Sequence, residues 1–284
     1  MTSKQAILFP GQGAQRSGMK TVVFDIWPDL LAKADEISGF SIREFFLNCP
    51  ADRFRNTRYV QPALYTINAL YYLHYTEEGN HPPFFLAGHS LGEFNALLCA
   101  GVFDFETGLH LVNRRAQLMS EIAGGGMAAV LGLDAEEVVQ VLARNRQLNL
   151  SIANLNADFQ IVISGPIESI HLAEEVFYDN DAVKYVVLNV SGAFHSSMLN
   201  HAAARFGEYV ESFSFSTPQI PVIANRTARP YSASSVVRNL SEHINKPVMW
   251  RQSVMYMRTH GVNDFVEIGD SSILLDMIKN IELK

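Results

Sequence analysis

The chain has 284 residues, of which 48% are apolar, so it can bury a sizeable core. Its formal net charge of −7 is spread without a long single-sign run, which argues against a nucleic-acid partner or an anionic membrane. The two cysteines, Cys49 and Cys99, match no disulfide framework or zinc motif, and no apolar run approaches the ~18 residues of a membrane span. We therefore expect a cytoplasmic protein without a bound metal.

The chain begins with a predicted buried strand at residues 5–9, which a proline and two glycines end in a tight loop at residues 10–13. Such a loop can bring backbone N–H groups close to a ligand, although the loop by itself favours a plain strand-ending turn. Helical periodicity follows at residues 24–36 and 61–75, and Pro62 is expected in the first turn of the second helix.

A predicted strand, a sharp turn and a helix follow in order at residues 84–100. The turn, residues 88–92, reads Gly-His-Ser-Leu-Gly, which is the pattern of a nucleophile elbow. The glycines remove side chains that would clash with the neighbouring strand and helix. Ser90 would lie at the head of a helix, where N–H groups and the helix dipole stabilise developing negative charge. By itself this motif predicts a reactive serine of unspecified chemistry, as in a lipase.

The next segment, residues 106–122, has the pattern of an amphipathic helix on which either Arg114 or Arg115 must face the buried side. After the triple glycine at residues 124–126 the pattern changes to strand, helix, one or two strands, helix and strand. This order predicts a small ferredoxin-like domain inserted into a larger one. The corresponding ranges are 127–133, 135–144, 150–165, 168–177 and 183–190.

Beyond residue 191 helices and strands alternate again, which implies a mostly parallel sheet with helices on both faces. We predict an α/β fold with an α/β-hydrolase-like large domain, residues 1–125 and 191–284, and a ferredoxin-like domain, residues 126–190. Ligands of such parallel sheets bind at the carboxyl ends of the strands. The predicted elements are a helix from 197 to 212, a strand at 220–224, helices at 233–244 and 248–259, a strand at 265–268 and a closing helix at 272–280.

A serine nucleophile needs a base, and we expect most of the nine histidines to face solvent. His195 follows a predicted strand and precedes a predicted helix, so it would lie at the same edge of the sheet as Ser90. Spacing alone leaves open that His195 merely occupies the first turn of that helix.

The motifs together resemble those of the malonyl-CoA:acyl carrier protein transacylases, in the same order and nearly from end to end. Within that family the chain is most similar to the discrete acyltransferases that load polyketide synthases in trans, followed by the transacylases of fatty acid synthesis. Because the motifs begin at residue 9 and the chain stops near the closing helix of the family, we expect a free-standing enzyme. The resemblance rests on residues 9–13, 61–64, 88–93, Arg115, 154–156, 160–165 and 192–196.

The resemblance implies a division of catalytic roles. Ser90 would attack the acyl carbonyl, and His195 would act as general base and then as general acid. The backbone N–H groups of Gln12 and Leu91 would form the oxyanion hole. A backbone carbonyl, that of Met249, would orient the imidazole in place of an aspartate.

The resemblance also implies the substrates, malonyl-CoA and a phosphopantetheinylated acyl carrier protein, with no cofactor. Arg115 would bind the malonyl carboxylate in a bidentate pair, whereas Arg114 points ~100° away on the helix. Phe194 would fill the space that an α-methyl group needs. The remaining implied pocket or pantetheine contacts are Gln61, His89, Asn154 and Asn156. We expect a monomer that serves polyketide synthase modules.

Two departures from the family pattern leave an alternative open. Met249 replaces the usual glutamine, and Asp-Ser-Ser at residues 270–272 replaces a common Pro-Gly pair. The alternative is an acyl hydrolase of the same fold that removes acyl groups from carrier proteins. A docking protein without catalysis is a further alternative, which the set of Ser90, Arg115 and His195 disfavours.

Overall fold

The structure is a computed structural model that describes residues 4–16, 19, 21–190 and 192–282. Ser191, at which the sequence predicts that the large domain resumes, lies outside the described residues. The strands are β1 (Lys4–Phe9), β2 (Phe85–Gly88), β3 (Gly125–Leu131), β4 (Ser151–Ala157), β5 (Gln160–Pro166), β6 (Lys184–Val187), β7 (Val222–Ile223) and β8 (Val262–Glu267). The α-helices are α1 (Val23–Ile26), α2 (Pro28–Ser38), α3 (Ile42–Asn48), α4 (Thr57–Glu77), α5 (Gly92–Cys99), α6 (Phe105–Ser120), α7 (Ala135–Arg144), α8 (Ile167–Tyr178), α9 (Asn200–Val210), α10 (Val236–Glu242), α11 (Trp250–Thr259) and α12 (Ile273–Lys279).

A parallel sheet with strand order β7-β2-β1-β8 forms the centre of the larger part of the molecule. The apolar residues of β1 alternate between two cores: Ile7 and Phe9 pack with α4, α5 and α6, whereas Ala6 and Leu8 pack with α11 and α12. Burial on both faces explains why this strand is a continuous apolar run. The predicted α/β class with a mostly parallel sheet is confirmed.

A second, antiparallel sheet has the strand order β4-β5-β3-β6. Its elements follow the chain order β-α-β-β-α-β, and α7 and α8 contribute Val138, Ile170 and Phe177 to a core on one face of the sheet. This is the predicted ferredoxin-like arrangement. Gly125 pairs with Pro166, so part of the triple glycine lies within β3. The exact domain boundaries remain a prediction.

Two predicted helices differ from the structure around prolines. Residues 24–36 form α1 and α2 rather than one helix, because Pro28 lacks an N–H and disfavours the helical conformation at Trp27, whose φ and ψ are −124° and 63°. Helix α4 begins four residues earlier than predicted, where the side chain of Asn56 accepts a hydrogen bond from the backbone N–H of Arg58. Pro62 therefore lies inside the helix and not in its first turn.

Parallel pairing places the loop after β1 beside the turn after β2. Phe9 pairs with Gly88, and the backbone N–H of His89 donates to the carbonyl of Phe9 at 3.0 Å. A Cβ on Gly88 would lie 1.9 Å from the carbonyl carbon of Gly92, and a Cβ on Gly92 would lie 2.0 Å from the oxygen of Phe9. The two glycines of the elbow are therefore required by this close backbone approach. Across the described ranges, none of the helices is both long enough and apolar enough to cross a membrane.

We expect Gly88→Ala to destabilise the protein by about 3 kcal/mol or more, because the added methyl group overlaps backbone that cannot move away. Gly79→Ala is the matched control, since that glycine has φ of 80° and no atom within 4 Å of the position that a Cβ would take, so only a backbone cost of about 1 kcal/mol applies. Urea unfolding of both variants measures the difference. Equal losses of stability would contradict the packing argument.

Candidate active site

Ser90 lies in a strained turn between β2 and α5. Its backbone φ is 49°, in the left-handed region that few non-glycine residues adopt. The side chain of Asn225 supports this turn, because its Oδ1 accepts from the N–H of Ser90 at 2.7 Å and its Nδ2 donates to the carbonyl of Gly88 at 2.6 Å. Glu93 in turn accepts from the N–H of Asn225 at 2.6 Å. The serine is held by hydrogen bonds from a distant part of the chain.

His195 is buried and has its Nε2 2.8 Å from the Oγ of Ser90. Its Nδ1 lies 3.0 Å from each of two backbone carbonyl oxygens, those of His243 and Lys246. Because both of these neighbours are acceptors only, the neutral ring must carry its proton on Nδ1. The lone pair of Nε2 then faces Ser90, whose hydroxyl donates to it. The arrangement is that of a nucleophile and its general base.

The prediction that the Met249 carbonyl orients this ring is wrong. That carbonyl accepts from the N–H and the hydroxyl of Ser253, both at 2.9 Å, in the first turn of α11. A helix needs its early carbonyls for the following turn, so the Met249 oxygen points along α11 and not toward His195. The carbonyls of His243 and Lys246, which precede this helix, orient the ring instead.

Arg115 is a buried cation beside the serine, with 1% of its surface exposed. Its Nη1 donates to the Oε1 of Gln61 at 2.5 Å, and its Nη2 donates to the Oγ of Ser90 at 3.0 Å. Nη2 also lies 3.3 Å from the Nδ1 of His243, and the Nε of Arg115 has no hydrogen-bond partner among the described residues. Within the described part of the chain, no carboxylate forms a salt bridge with Arg115. The guanidinium can therefore accept an anion from outside.

Arg114 faces away from the site. It is half-buried, its Nη1 donates to the Oε1 of Gln117 at 2.9 Å, and its guanidinium carbon lies 5.9 Å from the ring centre of Tyr209. As the helical spacing predicts, only one of the two adjacent arginines faces inward.

Two backbone N–H groups border the serine without an acceptor of their own. Among the described residues, neither the N–H of Leu91 nor that of Gln12 donates a hydrogen bond within the protein. Leu91 directly precedes α5, and Gln12 lies in the loop that follows β1. Paired free donors of this kind can stabilise an oxyanion.

Ser90, Arg115 and His195 line one cavity of about 170 Å³ between the two sheets. Its apolar wall includes Met127 and Val162 of the small domain and Met119 of α6. A larger cavity of about 550 Å³ beside Arg58 and Arg114 is lined by neither Ser90 nor Arg115, so size alone does not identify the site. All of the site residues that the sequence predicts, except Met249, line the cavity of about 170 Å³. They are Gln12, Gln61, His89, Ser90, Leu91, Arg115, Asn154, Asn156, Phe194 and His195.

Polar contacts also connect the two domains at this cavity. The Nε2 of His89 lies 2.9 Å from the Oδ1 of Asn156, which belongs to β4. Asn154, on the same strand, forms a β-bridge with Val248. The small domain is thereby fixed against the elbow.

Burial changes the pKa values of the charged groups around Ser90. Burial, and then the charge of Arg115, lower the pKa of His195 to about 3. Burial lowers the pKa of Arg115 to about 9, so the guanidinium is still charged at pH 7. Burial raises the pKa of Glu93 to about 7, although hydrogen bonds from Tyr231 and Asn225 oppose the shift.

Sequence reasoning missed two residues of the site. His243 is 2% exposed, although composition alone suggests that most histidines face solvent, and its ring contacts both Arg115 and His195. Asn225 is also buried. Neither belongs to a motif near Ser90, so only the fold reveals them. The described residues contain no cluster of His, Cys, Asp and Glu that could hold a metal ion.

Comparisons with known proteins identify relatives over nearly the whole chain. Residues 7–281 match the family model described as the acyl transferase domain. The chain is 45% identical over 276 residues to PksC of Bacillus subtilis, a polyketide biosynthesis malonyl CoA-acyl carrier protein transacylase, covering 97% of this chain and 96% of that protein. It is 46% identical over 279 residues to the polyketide biosynthesis protein ThaF of Burkholderia thailandensis, covering 98% of this chain but only 24% of that protein.

A solved structure shares the fold. It contains AntF, a type II polyketide synthase acyl carrier protein in its holo form, in complex with its malonyl-transacylase PlMCAT. The likeness has a TM-score of 0.93 and 31% identity, and it covers 98% of this chain and 93% of the matched one.

The low pKa of His195 predicts an unusual pH dependence of serine reactivity. Labelling of Ser90 by a fluorophosphonate needs neutral His195, which in the free protein persists until the pH falls toward about 3. The labelling rate should therefore be nearly constant from pH 8 to about 5, and His195→Ala should lower it at every pH. A rate that halves near pH 6.5, as for an ordinary histidine, would contradict the described environment.

Proposed function

The chain belongs to the acyl transferase domain family, and from its site we propose that it transfers a malonyl group from malonyl-CoA to an acyl carrier protein. The observation that carries the proposal is the buried guanidinium of Arg115, 3.0 Å from the Oγ of Ser90. A nucleophile beside a buried cation fits a short acyl group that ends in a carboxylate. The similarity to PksC over nearly the full length of both proteins supports the same substrate.

The first half-reaction forms an acyl-enzyme on Ser90. The serine oxygen attacks the thioester carbonyl while Nε2 of His195 takes the hydroxyl proton. The N–H groups of Gln12 and Leu91 stabilise the negative charge on the carbonyl oxygen. When the tetrahedral intermediate collapses, the carbon–sulfur bond breaks and the imidazolium returns the proton to the departing thiolate of CoA.

The second half-reaction reverses these steps with a new thiol. His195 removes the proton from the phosphopantetheine thiol, whose sulfur attacks the malonyl ester. The bond to the Ser90 oxygen then breaks, and the imidazolium returns the proton to that oxygen. His195 also borders a second cavity of about 460 Å³, lined by Ile152 of the small domain and by Asn200 and Lys246 of the large one. We infer that the phosphopantetheine arm reaches the serine through this opening. The complex of PlMCAT with its carrier protein supports such a partner. The reaction needs no cofactor.

Arg115 would select the acyl group. A guanidinium binds a carboxylate through two parallel N–H donors, and a buried pair of this kind is much stronger than one in water. An acetyl group would leave the buried guanidinium without a carboxylate at its Nη groups, and such unpaired polar groups allow strong discrimination, on the order of 10⁴-fold. The phenyl ring of Phe194, which is buried at the same cavity, would disfavour a branched acyl group.

The bound carboxylate would also make His195 a better base. The positive charge of Arg115 is the second largest cause of the low pKa of His195, after burial. A carboxylate paired with Arg115 offsets that charge and raises the pKa of the imidazole toward its ordinary value. Base strength at Nε2 then increases when a dicarboxylic acyl group occupies the site.

The hydrolase alternative is not favoured. A hydrolase for varied acyl chains gains nothing from a buried guanidinium, whose desolvation is costly without an anionic partner. The replacement of glutamine by Met249 is the main argument for a hydrolase, and Met249 does not line the cavity that contains Ser90 and Arg115. The free-standing, monomeric and cytoplasmic character of the protein stays a prediction.

The selectivity of Arg115 can be tested by comparing malonyl and acetyl transfer. We expect Arg115→Ala to lower kcat/KM for malonyl-CoA by about a hundredfold or more, because a buried charge pair is lost, and to lower that for acetyl-CoA by less than about tenfold. Arg114→Ala is the matched control and should change neither value by more than about twofold. CoA release measures both reactions. Equal losses for the two acyl groups in Arg115→Ala would sink the proposed selection.

A further inference from the structure

A chain of side-chain hydrogen bonds connects Arg115 to the loop after β1. Nη1 of Arg115 donates to the Oε1 of Gln61 at 2.5 Å, and the Nε2 of Gln61 donates to the Oγ1 of Thr57 at 2.6 Å. The hydroxyl of Thr57 donates to the Oε1 of Gln12 at 2.9 Å. The proposed carboxylate-binding group and the proposed oxyanion donor are thus joined by one continuous path.

The direction of every bond in this path follows from the guanidinium. Arginine has donors only, so Gln61 must present its oxygen to Arg115 and its NH₂ group to Thr57. The Thr57 oxygen therefore accepts, and its single proton is free for Gln12. The two possible orientations of each amide are thereby resolved. A hydroxyl is needed at position 57 because that position must accept and donate at once.

The side chain of Gln12 is held by this contact. Gln12 lies between Gly11, where a Cβ would lie 2.4 Å from the carbonyl oxygen of His89, and Gly13, where no atom lies within 4 Å of the position that a Cβ would take. In the described part of the chain, the Gln12 side chain has no hydrogen-bond partner other than Thr57. Thr57 is itself fully buried at the start of α4, so it is a fixed support for this glycine-bounded loop.

We propose that Thr57 is a positioning residue that holds the backbone N–H of Gln12 in the oxyanion hole and couples it to the acyl-selecting Arg115. The proposal rests on the function proposed above. Because oxyanion stabilisation acts on the transition state, loss of the Thr57 hydroxyl should lower the rate of acylation more than it changes the binding of malonyl-CoA.

The test compares two variants of Thr57. Thr57→Val keeps the shape of the side chain and removes the hydroxyl, whereas Thr57→Ser keeps the hydroxyl. Thr66→Val is the matched control, because Thr66 is also fully buried on α4 but its hydroxyl donates to the backbone carbonyl of Pro62. We expect Thr57→Val to lower kcat about ten- to a hundredfold with KM changed by less than about threefold, somewhat less than the loss of a whole oxyanion donor. Thr57→Ser and Thr66→Val should stay within about threefold of the parent. Equal kcat values in Thr57→Val and Thr66→Val would overturn the proposal.

A second variant keeps the test valid if Thr57→Val does not fold. Gln12→Met removes the acceptor of the Thr57 hydroxyl while it keeps the backbone N–H and the side-chain length. It should lower kcat as Thr57→Val does. The double variant, which combines Thr57→Val with Gln12→Met, should be no slower than either single variant, because all three variants lose the same hydrogen bond. Additive losses would show that Thr57 acts by another route and would overturn the proposal.

Fluorophosphonate labelling separates failure of this inference from failure of the proposed function. The phosphonyl oxygen occupies the oxyanion hole but carries no carboxylate for Arg115. If the parent protein is not acylated by malonyl-CoA while Thr57→Val still slows labelling tenfold or more, the proposed function fails and the role of Thr57 stands. If malonyl-CoA acylates the parent and Thr57→Val labels at the parent rate, the role of Thr57 fails alone.

Discussion

The site depends on one buried positive charge beside one nucleophile. The guanidinium of Arg115 is almost completely removed from water, and its nearest partners, Gln61, Ser90 and His243, are neutral. The charge of Glu93 acts on Arg115, but a pKa of about 7 leaves that carboxyl only partly ionised at neutral pH, so a carboxylate ligand at the guanidinium would be favourable. The charge of Arg115 lowers the pKa of His195. In the proposed reaction, substrate selection and general-base strength would thus share one physical origin.

The fold keeps this arrangement in place through strained backbone and distant hydrogen bonds. Ser90 and His195 both have positive φ values, 49° and 59°, which few non-glycine residues adopt. Asn225 supports the turn at Ser90, and two carbonyls before α11 fix the tautomer of His195. The ferredoxin-like domain closes the cavity with apolar side chains and contacts His89 through Asn156. Each support comes from a different part of the chain, so the site exists only in the folded protein.

The sequence was sufficient to predict those parts of the site in which a local sequence pattern has a steric cause. A Cβ on Gly88 or Gly92 would lie 1.9 or 2.0 Å from a neighbouring backbone atom, and that is why the elbow is recognisable from the sequence. Helical spacing similarly predicts that one of Arg114 and Arg115 faces inward, and the family resemblance identifies Arg115. Groups that act through tertiary contacts were out of reach: Asn225 and His243 carry no local signal, and the Met249 carbonyl was assigned a role that α11 prevents. A backbone carbonyl has no sequence signature, since every residue supplies one.

The most direct measurement is the intact mass of the protein after it is mixed with malonyl-CoA and then chased with a holo acyl carrier protein or with water alone. We predict an added malonyl group that is absent in Ser90→Ala, passes to the carrier thiol within the chase and persists in water. An adduct that remains in Ser90→Ala, or one that water removes as fast as the carrier does, would contradict a transfer reaction through this serine.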